Sequence, residues 1–532
     1  MGIAAQKMSL PEQTRSNHGG PVTNRATTHN VRANTIANLC GRAVTAISGL
    51  AFVPLFVRYL GPEVYGLVAF AATVQTLVSL SDLGLSGAFA REVARLSVSD
   101  DKSGLPTLTR TLELVFLGIA STILAAAFLL SPIVASHWLR FDVVSVGTVR
   151  TTLRIAGVLL ASQLLVLFYQ SGLQGLGRQV LLNSVNASAV ALRGGIAVLL
   201  LAFVVPSPVL FFCWQAVASV IQALVLRSAL WRKIRGPLLL RRFDLGALLS
   251  VGRFALGVTG IAATGLVLMQ LDRVLLSRLV PLDRFGHYAL AFTAASLPIL
   301  VSGALKDAVY PRFSILVAQR RLLELSEAYH AACRTQSVVV LPISVVIAVY
   351  SDVLVRIWTG DEALSAAVHP LVRILVVGTT LVSVLNLPFA LQLAFGWTRL
   401  SLWSNILSMP PLIVLIFVLT YKYGVLGASA VWTAVFGIQL LVTLPVMHRH
   451  LLPGELFRWY RESIAIPGVT CVCIALLLRH LRQEPSTTTH GIVTVMSCWL
   501  TCACTTSLIS WKAVQHTMRT HIHGEEARAV EL

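Results

Sequence analysis

Along this chain, from residue 34 to residue 511, apolar stretches recur that are about 20 residues long, the length a helix needs to cross a bilayer core. Hydrocarbon offers backbone amides no partner, so a segment inside it must satisfy them itself, and an α-helix does so within one segment. By that measure about fourteen segments stand out, near 34–58, 64–86, 111–137, 151–173, 180–204, 208–229, 246–270, 285–305, 336–356, 366–392, 402–421, 424–446, 464–480 and 490–511. Only 12% of the residues are charged, about half the share usual in soluble domains, and the mean hydropathy is +0.77. The expected fold class is an all-α polytopic membrane protein.

A net charge of +19 would suggest nucleic acid in a soluble chain; in a membrane chain the placement of the charges decides, and no nucleic-acid partner is expected. If the N-terminus is cytosolic, 27 of the 42 Lys and Arg fall on its side, 10 on the other, and 5 lie inside segments. That bias predicts an even number of crossings with both termini cytosolic. Residues 1–33 are polar and carry no apolar core, so they read as a disordered cytosolic tail and not as a cleavable signal. The basic stretch at 231–245 divides the chain. It separates an N-terminal transmembrane lobe, 34–230, from a C-terminal lobe, 246–446; two additional helices follow at 447–511, then a cytosolic tail, 512–532. The longest internal loop, about 306 to 335, reads as a short basic amphipathic helix. Cys471, Cys473, Cys498, Cys502 and Cys504 lie in apolar runs without His neighbours, which points to helix packing and to no metal site.

Within the first lobe, Leu60-Gly61-Pro62-Glu63 makes a turn, because Gly and Pro punctuate helices. Tyr65-Gly66 follows, then Ser81-Asp82-Leu83-Gly84-Leu85 and Arg91-Glu92. In the second lobe Leu279-Val280-Pro281 and Phe285-Gly286 echo Leu60-Gly61-Pro62 and Tyr65-Gly66 with one residue inserted. Both turns join an outward-running segment to an inward-running one, which predicts a parallel repeat about an axis along the membrane normal, with a central cleft between the lobes.

These motifs, in this order, resemble the polysaccharide repeat-unit flippases, the O-antigen and exopolysaccharide translocases of the multidrug, oligosaccharidyl-lipid and polysaccharide exporter superfamily. Gln270-Leu271-Asp272-Arg273 adds to the resemblance. It implies two six-helix lobes plus two C-terminal helices working by alternating access, and translocation of an undecaprenyl-diphosphate-linked oligosaccharide across the bacterial plasma (inner) membrane for surface polysaccharide biosynthesis. Membrane lipid and the lipid-linked oligosaccharide are the expected partners, with polysaccharide polymerase and export machinery as further candidates. A cation or drug antiporter of the same superfamily fold and a peptidoglycan lipid-precursor flippase are the alternatives.

Five arginines, Arg42, Arg154, Arg193, Arg253 and Arg373, fall inside apolar segments. An ionised group at membrane depth is costly and by default faces the bundle interior or an aqueous cavity. A guanidinium keeps its charge and binds phosphate oxygens through paired hydrogen bonds, so these five are the candidate substrate-binding residues for a diphosphate. Arg193, some 13 residues into its segment, lies about 20 Å deep at 1.5 Å per residue, and it leads the set with Arg42. The competing reading is bonding of each Arg to carbonyls or polar side chains of neighbouring helices. Asp82 and Asp272 are candidates for ion coupling, or alternatively cap helix ends and pair with nearby Arg. No P-loop, HExxH or GxSxG occurs, so neither an enzyme nor a cofactor is expected.

Overall fold

In a computed structural model, residues 25–99, 104–234, 243–481 and 488–530 are described; among them the side chains of 25–47, 247, 250, 253–259, 261–262 and 511–530 are not. The described residues are helical almost throughout. Helix α1, Arg25–Val78, is followed by a short 3-10 turn and α2, Leu85–Ser97; then come α3 (Gly104–Ile133), α4 (Val146–Gly175), α5 (Gln179–Phe203) and α6 (Pro208–Lys233). The second half holds α7 (Leu245–Leu279), α8 (Leu282–Ala295), α9 (Leu297–Ala318), α10 (Leu322–Val349), α11 (Ser351–Thr359), α12 (Glu362–Ala394) and α13 (Arg399–Leu451). The chain closes with α14 (Leu456–Tyr460), α15 (Ile466–Leu481) and α16 (Thr488–Val530).

Among the described residues ten helices are long and apolar enough to cross a membrane, eleven with the bent pair α8–α9 taken as one. The protein is therefore a multi-pass membrane protein, though that tally is short of the expected fourteen. Two of the ten bend back. At 54 and 53 residues, α1 and α13 would each be about 80 Å long if straight, against a core of about 30 Å. Each contains one glycine that is not helical, Gly61 at φ 79° and Gly424 at φ 59°. Side chains disfavour that backbone region, so glycine is what lets the chain turn there.

Three boundaries differ from the sequence reading. The stretch about 306 to 335 is no loop: α9 and α10 extend through it and turn at Gln319–Arg321, with Arg320 at φ 58°. Basic residues lower the hydropathy there, but helices projecting past the apolar zone keep their own hydrogen bonds. Residues 25–33 likewise belong to α1, and α16 runs on to Val530.

The helices pack in two lobes. In the first, α4 lies against α3 and α6, and α1 against α5; in the second, α12 lies against α8, α9, α10 and α13, and α13 against α7. Helices α15 and α16 cover α10, with Cys471, Cys498 and Cys502 buried between them. Asp352 ties α11 to α15 through Arg479 at 2.9 and 3.0 Å. Burial alone would raise the Asp352 carboxyl, but the Arg479 guanidinium outweighs it and holds it below the ordinary range.

The lobes meet at the two turns. A Cβ on Gly66 would strike the carbonyl of Leu282, and a Cβ on Gly286 would strike the carbonyl of Pro62. The repeat-related glycines are thus pressed reciprocally against each other's turn, backbone on backbone. Around this seam Trp138 Nε1 donates to Ser277 Oγ at 3.0 Å and the Leu282 amide donates to the Arg140 carbonyl at 2.7 Å. Glu63, the acidic residue of the turn, accepts from the amides of Asp142, Val143 and Val144 at 2.9–3.1 Å and so fixes the α3–α4 connection. The end of the bundle away from this seam is its far end.

Candidate substrate-binding site

Arg193 stands in the middle of α5, where Gly194 lets the helix sit against the ring of Phe52 on α1. Its guanidinium meets amides instead of carboxylates. Nη2 donates to Gln222 Oε1 of α6 at 2.9 Å. With the Gln163 oxygen turned toward it, the orientation its donors require, that oxygen accepts from both terminal nitrogens at 2.8 and 3.0 Å. Gln222 Nε2 and Gln170 Nε2 in turn donate to Asn186 Oδ1 at 3.1 and 2.8 Å, and the Arg193 carbonyl accepts from Trp214 Nε1 at 3.0 Å. Three helices, α4, α5 and α6, thereby hold one cation in a shell of neutral polar groups. Among the described residues no carboxylate pairs with it, and its Nε is buried without a partner.

Gln163 and Gln170 also line a cavity of about 190 Å³ whose other wall carries Gln75 and Ser79 from the end of α1. The network is therefore not sealed in the lobe. Amide groups solvate a guanidinium without neutralising it, so a positive charge lies directly behind the Gln163 amide of the wall. An anion with several oxygens is the ligand class that suits this arrangement.

The other predicted residues separate from Arg193. Arg154 donates to Ser131 Oγ at 3.3 Å and stacks on Phe128, 5.6 Å from the ring centre, bridging α4 to α3. Arg373 donates to Ser351 Oγ at 2.9 Å and lies 3.5 Å from Asp352, in the cluster that anchors α11 and α15. The side chains of Arg42 and Arg253 lie outside the described residues. Asp82 is spent on its own turn, accepting from the Gly84 amide where Leu83 and Gly84 both have positive φ. Asp272 lies fully buried beneath the seam, accepts from Tyr288 OH, and has one oxygen without a partner. Beside it Arg273 covers the Phe292 ring at 3.9 Å.

The sequence alone does not single out Gln163, Gln170, Asn186 and Gln222 among the polar residues of the apolar segments, nor Gln75 and Ser79. Gln75 in the last turn of α1 and Ser79 in the turn after it stand four residues apart, and that spacing is the available signal. Glu113 of α3 is fully buried, accepting from Arg227 at 2.7 Å, Arg110 and Tyr169 at 2.9 Å and Trp231 at 3.2 Å.

Comparison with known proteins bears on the same elements. A family model described as "Polysaccharide biosynthesis protein" matches residues 31–317, and one described as "MatE" matches 261–419. A putative O-antigen transporter of Shigella flexneri is 20% identical over 408 residues, covering 75% of this chain and 93% of that one. Among solved structures, the lipid II flippase MurJ in an inward closed conformation superposes with a TM-score of 0.72 at 12% identity, over 91% of this chain and 99% of that one. An inward-facing multidrug resistance MATE family transporter of the MOP superfamily gives 0.62 at 16% identity, over 79% and 96%.

Proposed function

Because the chain belongs to the polysaccharide biosynthesis protein family, we propose that it moves a prenyl-diphosphate-linked oligosaccharide repeat unit across a bacterial inner membrane, from the cytosolic to the external leaflet. The observation that carries this reading is Arg193, a cation held by amides, without a carboxylate among the described residues, beside a polar cavity. A diphosphate supplies the missing negative charge and offers oxygens in the geometry a guanidinium binds in pairs. The prenyl chain stays in lipid, while the hydrated glycan needs the polar path between the lobes, since hydrocarbon gives its hydroxyls no partner. Both termini are cytosolic in this reading, which puts the Gly66–Gly286 seam on the external side.

Transport then alternates two closures. With the seam shut, the substrate is taken up from the far end; parting of the two turns releases it outside. Asp272 is the better of the two coupling candidates, since it is buried at the seam with an oxygen to spare, whereas Asp82 is committed to Gly84. Partners among polymerase and export proteins would meet the basic far-end surface.

In cells that depend on this protein for surface polysaccharide, Arg193→Ala at normal protein level is expected to abolish the polymer. Unchanged polymer from that variant overturns the assignment. Survival of the polymer with loss of growth in a strain lacking other peptidoglycan-precursor flippases would favour the lipid II alternative.

A further inference from the structure

A second polar cavity lies in the C-terminal lobe. It measures about 220 Å³ and sits between α7, α12 and both halves of α13. Among the described residues its wall carries no charged side chain; the polar groups are the amides of Asn386, Gln392, Asn405 and Gln439 and the hydroxyls of Ser401, Ser404 and Thr443. Phe389 and Phe436 complete it with aromatic surface.

Its position follows from the repeat. Gly177 before α5 and Gly396 before α13 both have positive φ, 69° and 67°. Nine residues after each stands an asparagine, Asn186 in the first lobe and Asn405 in the second. Asn186 belongs to the Arg193 network of α4, α5 and α6, so the C-terminal cavity, with Asn405 in its wall, is the counterpart of that network. Sixteen residues after Gly177 stands Arg193, and sixteen after Gly396 stands Leu412, buried at 1% exposure. The counterpart site thus keeps the amide and has lost the charge.

The amides are only partly used by the protein. Asn386 Nδ2 donates to Ser302 Oγ at 2.7 Å, Gln392 Oε1 accepts from Ser401 Oγ at 2.6 Å, and Gln439 Nε2 donates to Ser408 Oγ at 3.2 Å. A carboxamide has two N–H donors and an oxygen with two lone pairs, so each retains capacity toward the cavity. At membrane depth such capacity calls for a polar occupant. The volume would hold about seven waters at ~30 Å³ each, the space of one pyranose ring with its hydroxyls. Amides for hydroxyls and aromatic rings for the C–H faces are the chemistry that recognises an uncharged sugar; without a cation in the wall, the cavity has little to offer a phosphate.

We propose that this cavity is a separate subsite for a neutral sugar residue of the glycan, a proposal that rests on the reading of the chain as a translocator of lipid-linked oligosaccharide. The experiment measures binding of two probes to the purified full-length protein in nanodiscs: undecaprenyl diphosphate, and undecaprenyl diphosphate carrying a neutral trisaccharide. The wild type is expected to bind the glycan-bearing lipid at least tenfold tighter. Asn405→Leu and Gln392→Leu, each separately, erase that preference and leave the affinity for the bare diphosphate unchanged, while Asn405→Gln keeps most of it. Because each variant is read against its own binding of the bare lipid, a misfolded sample is recognised by loss of both. Arg193→Ala weakens both probes by the same factor. A preference that survives in both leucine variants, or a wild type with no preference, overturns the subsite and leaves the diphosphate reading standing; a water-filled cavity gives that result. A wild type that binds neither lipid overturns the underlying reading, and the subsite with it.

Discussion

At the same step past their turn glycines the N-terminal lobe carries Arg193 and the C-terminal lobe Leu412, although Asn186 and Asn405 correspond in the two. The repeat therefore reproduces helix order and the asparagine, while at this step the N-terminal lobe alone carries a charge. The N-terminal network holds a cation among amides, and its C-terminal counterpart holds amides and hydroxyls alone among the described residues. The far ends differ as well. In the N-terminal lobe Glu113 draws its four donors from α3, α4 and α6, inside the lobe. In the C-terminal lobe Arg334 of α10 donates to Glu462 at 2.9 Å, in the segment leading into α15. The second lobe is thus closed by helices that the first does not have.

That contrast can be broken in four places. The largest effect is expected from Glu113→Ala, which strands two guanidinium groups, a phenol and an indole. It should cost about 3–5 kcal/mol in detergent unfolding, whereas Glu462→Ala costs less and chiefly exposes α15 and α16 to protease. Equal losses and equal proteolysis from the two variants would contradict the difference between the lobes.

Next in size is the charge itself. Arg193→Ala should weaken undecaprenyl diphosphate about 100-fold, roughly 2.7 kcal/mol, and Arg193→Lys about tenfold, because an ammonium keeps the charge without the paired geometry. Titration by intrinsic fluorescence reads both, and a Lys variant as weak as Ala would show that geometry alone decides.

The seam gives a smaller and symmetric effect. Gly66→Ala and Gly286→Ala each push a methyl into the opposing turn, about 1–3 kcal/mol against the closed arrangement. Labelling of Thr293→Cys beneath the seam should quicken equally in both. A strong effect from one glycine and none from the other would refute the reciprocal contact.

The smallest concerns Asp352. Its carboxyl is depressed in the folded state by Arg479 despite burial, so its contribution is present above the unfolded value of about 3.9 and is lost as pH falls through the folded value. Protease release of α15 and α16 should accordingly be unchanged from pH 8 to 5 and begin only in stronger acid; release near pH 6 would contradict the assignment.

Much of the fold was legible because bilayer length and turn chemistry are local. Leu60-Gly61-Pro62 announced a turn, and Phe285-Gly286 announced its repeat. What was not legible is where distant segments meet. No spacing tells that Gly66 faces the Leu282 carbonyl, or that Arg373 finds Asp352 and Arg154 finds Ser131, since those partners come from other helices. An arginine in an apolar run advertises a need for partners and not their identity. Arg193 stood out by depth, and the structure adds that its partners are neutral. Asn405 escaped notice because a single asparagine is ordinary until its nine-residue step from Gly396 is compared with that of Asn186 from Gly177.

The most direct test of the division between the lobes is reconstitution in liposomes with a fluorescent undecaprenyl-diphosphate oligosaccharide, following how much label becomes accessible in the outer leaflet. The wild type should move the lipid and Arg193→Ala should fall to the rate of protein-free vesicles while remaining folded. Movement by Arg193→Ala at the wild-type rate would contradict the assignment of the diphosphate to the N-terminal lobe.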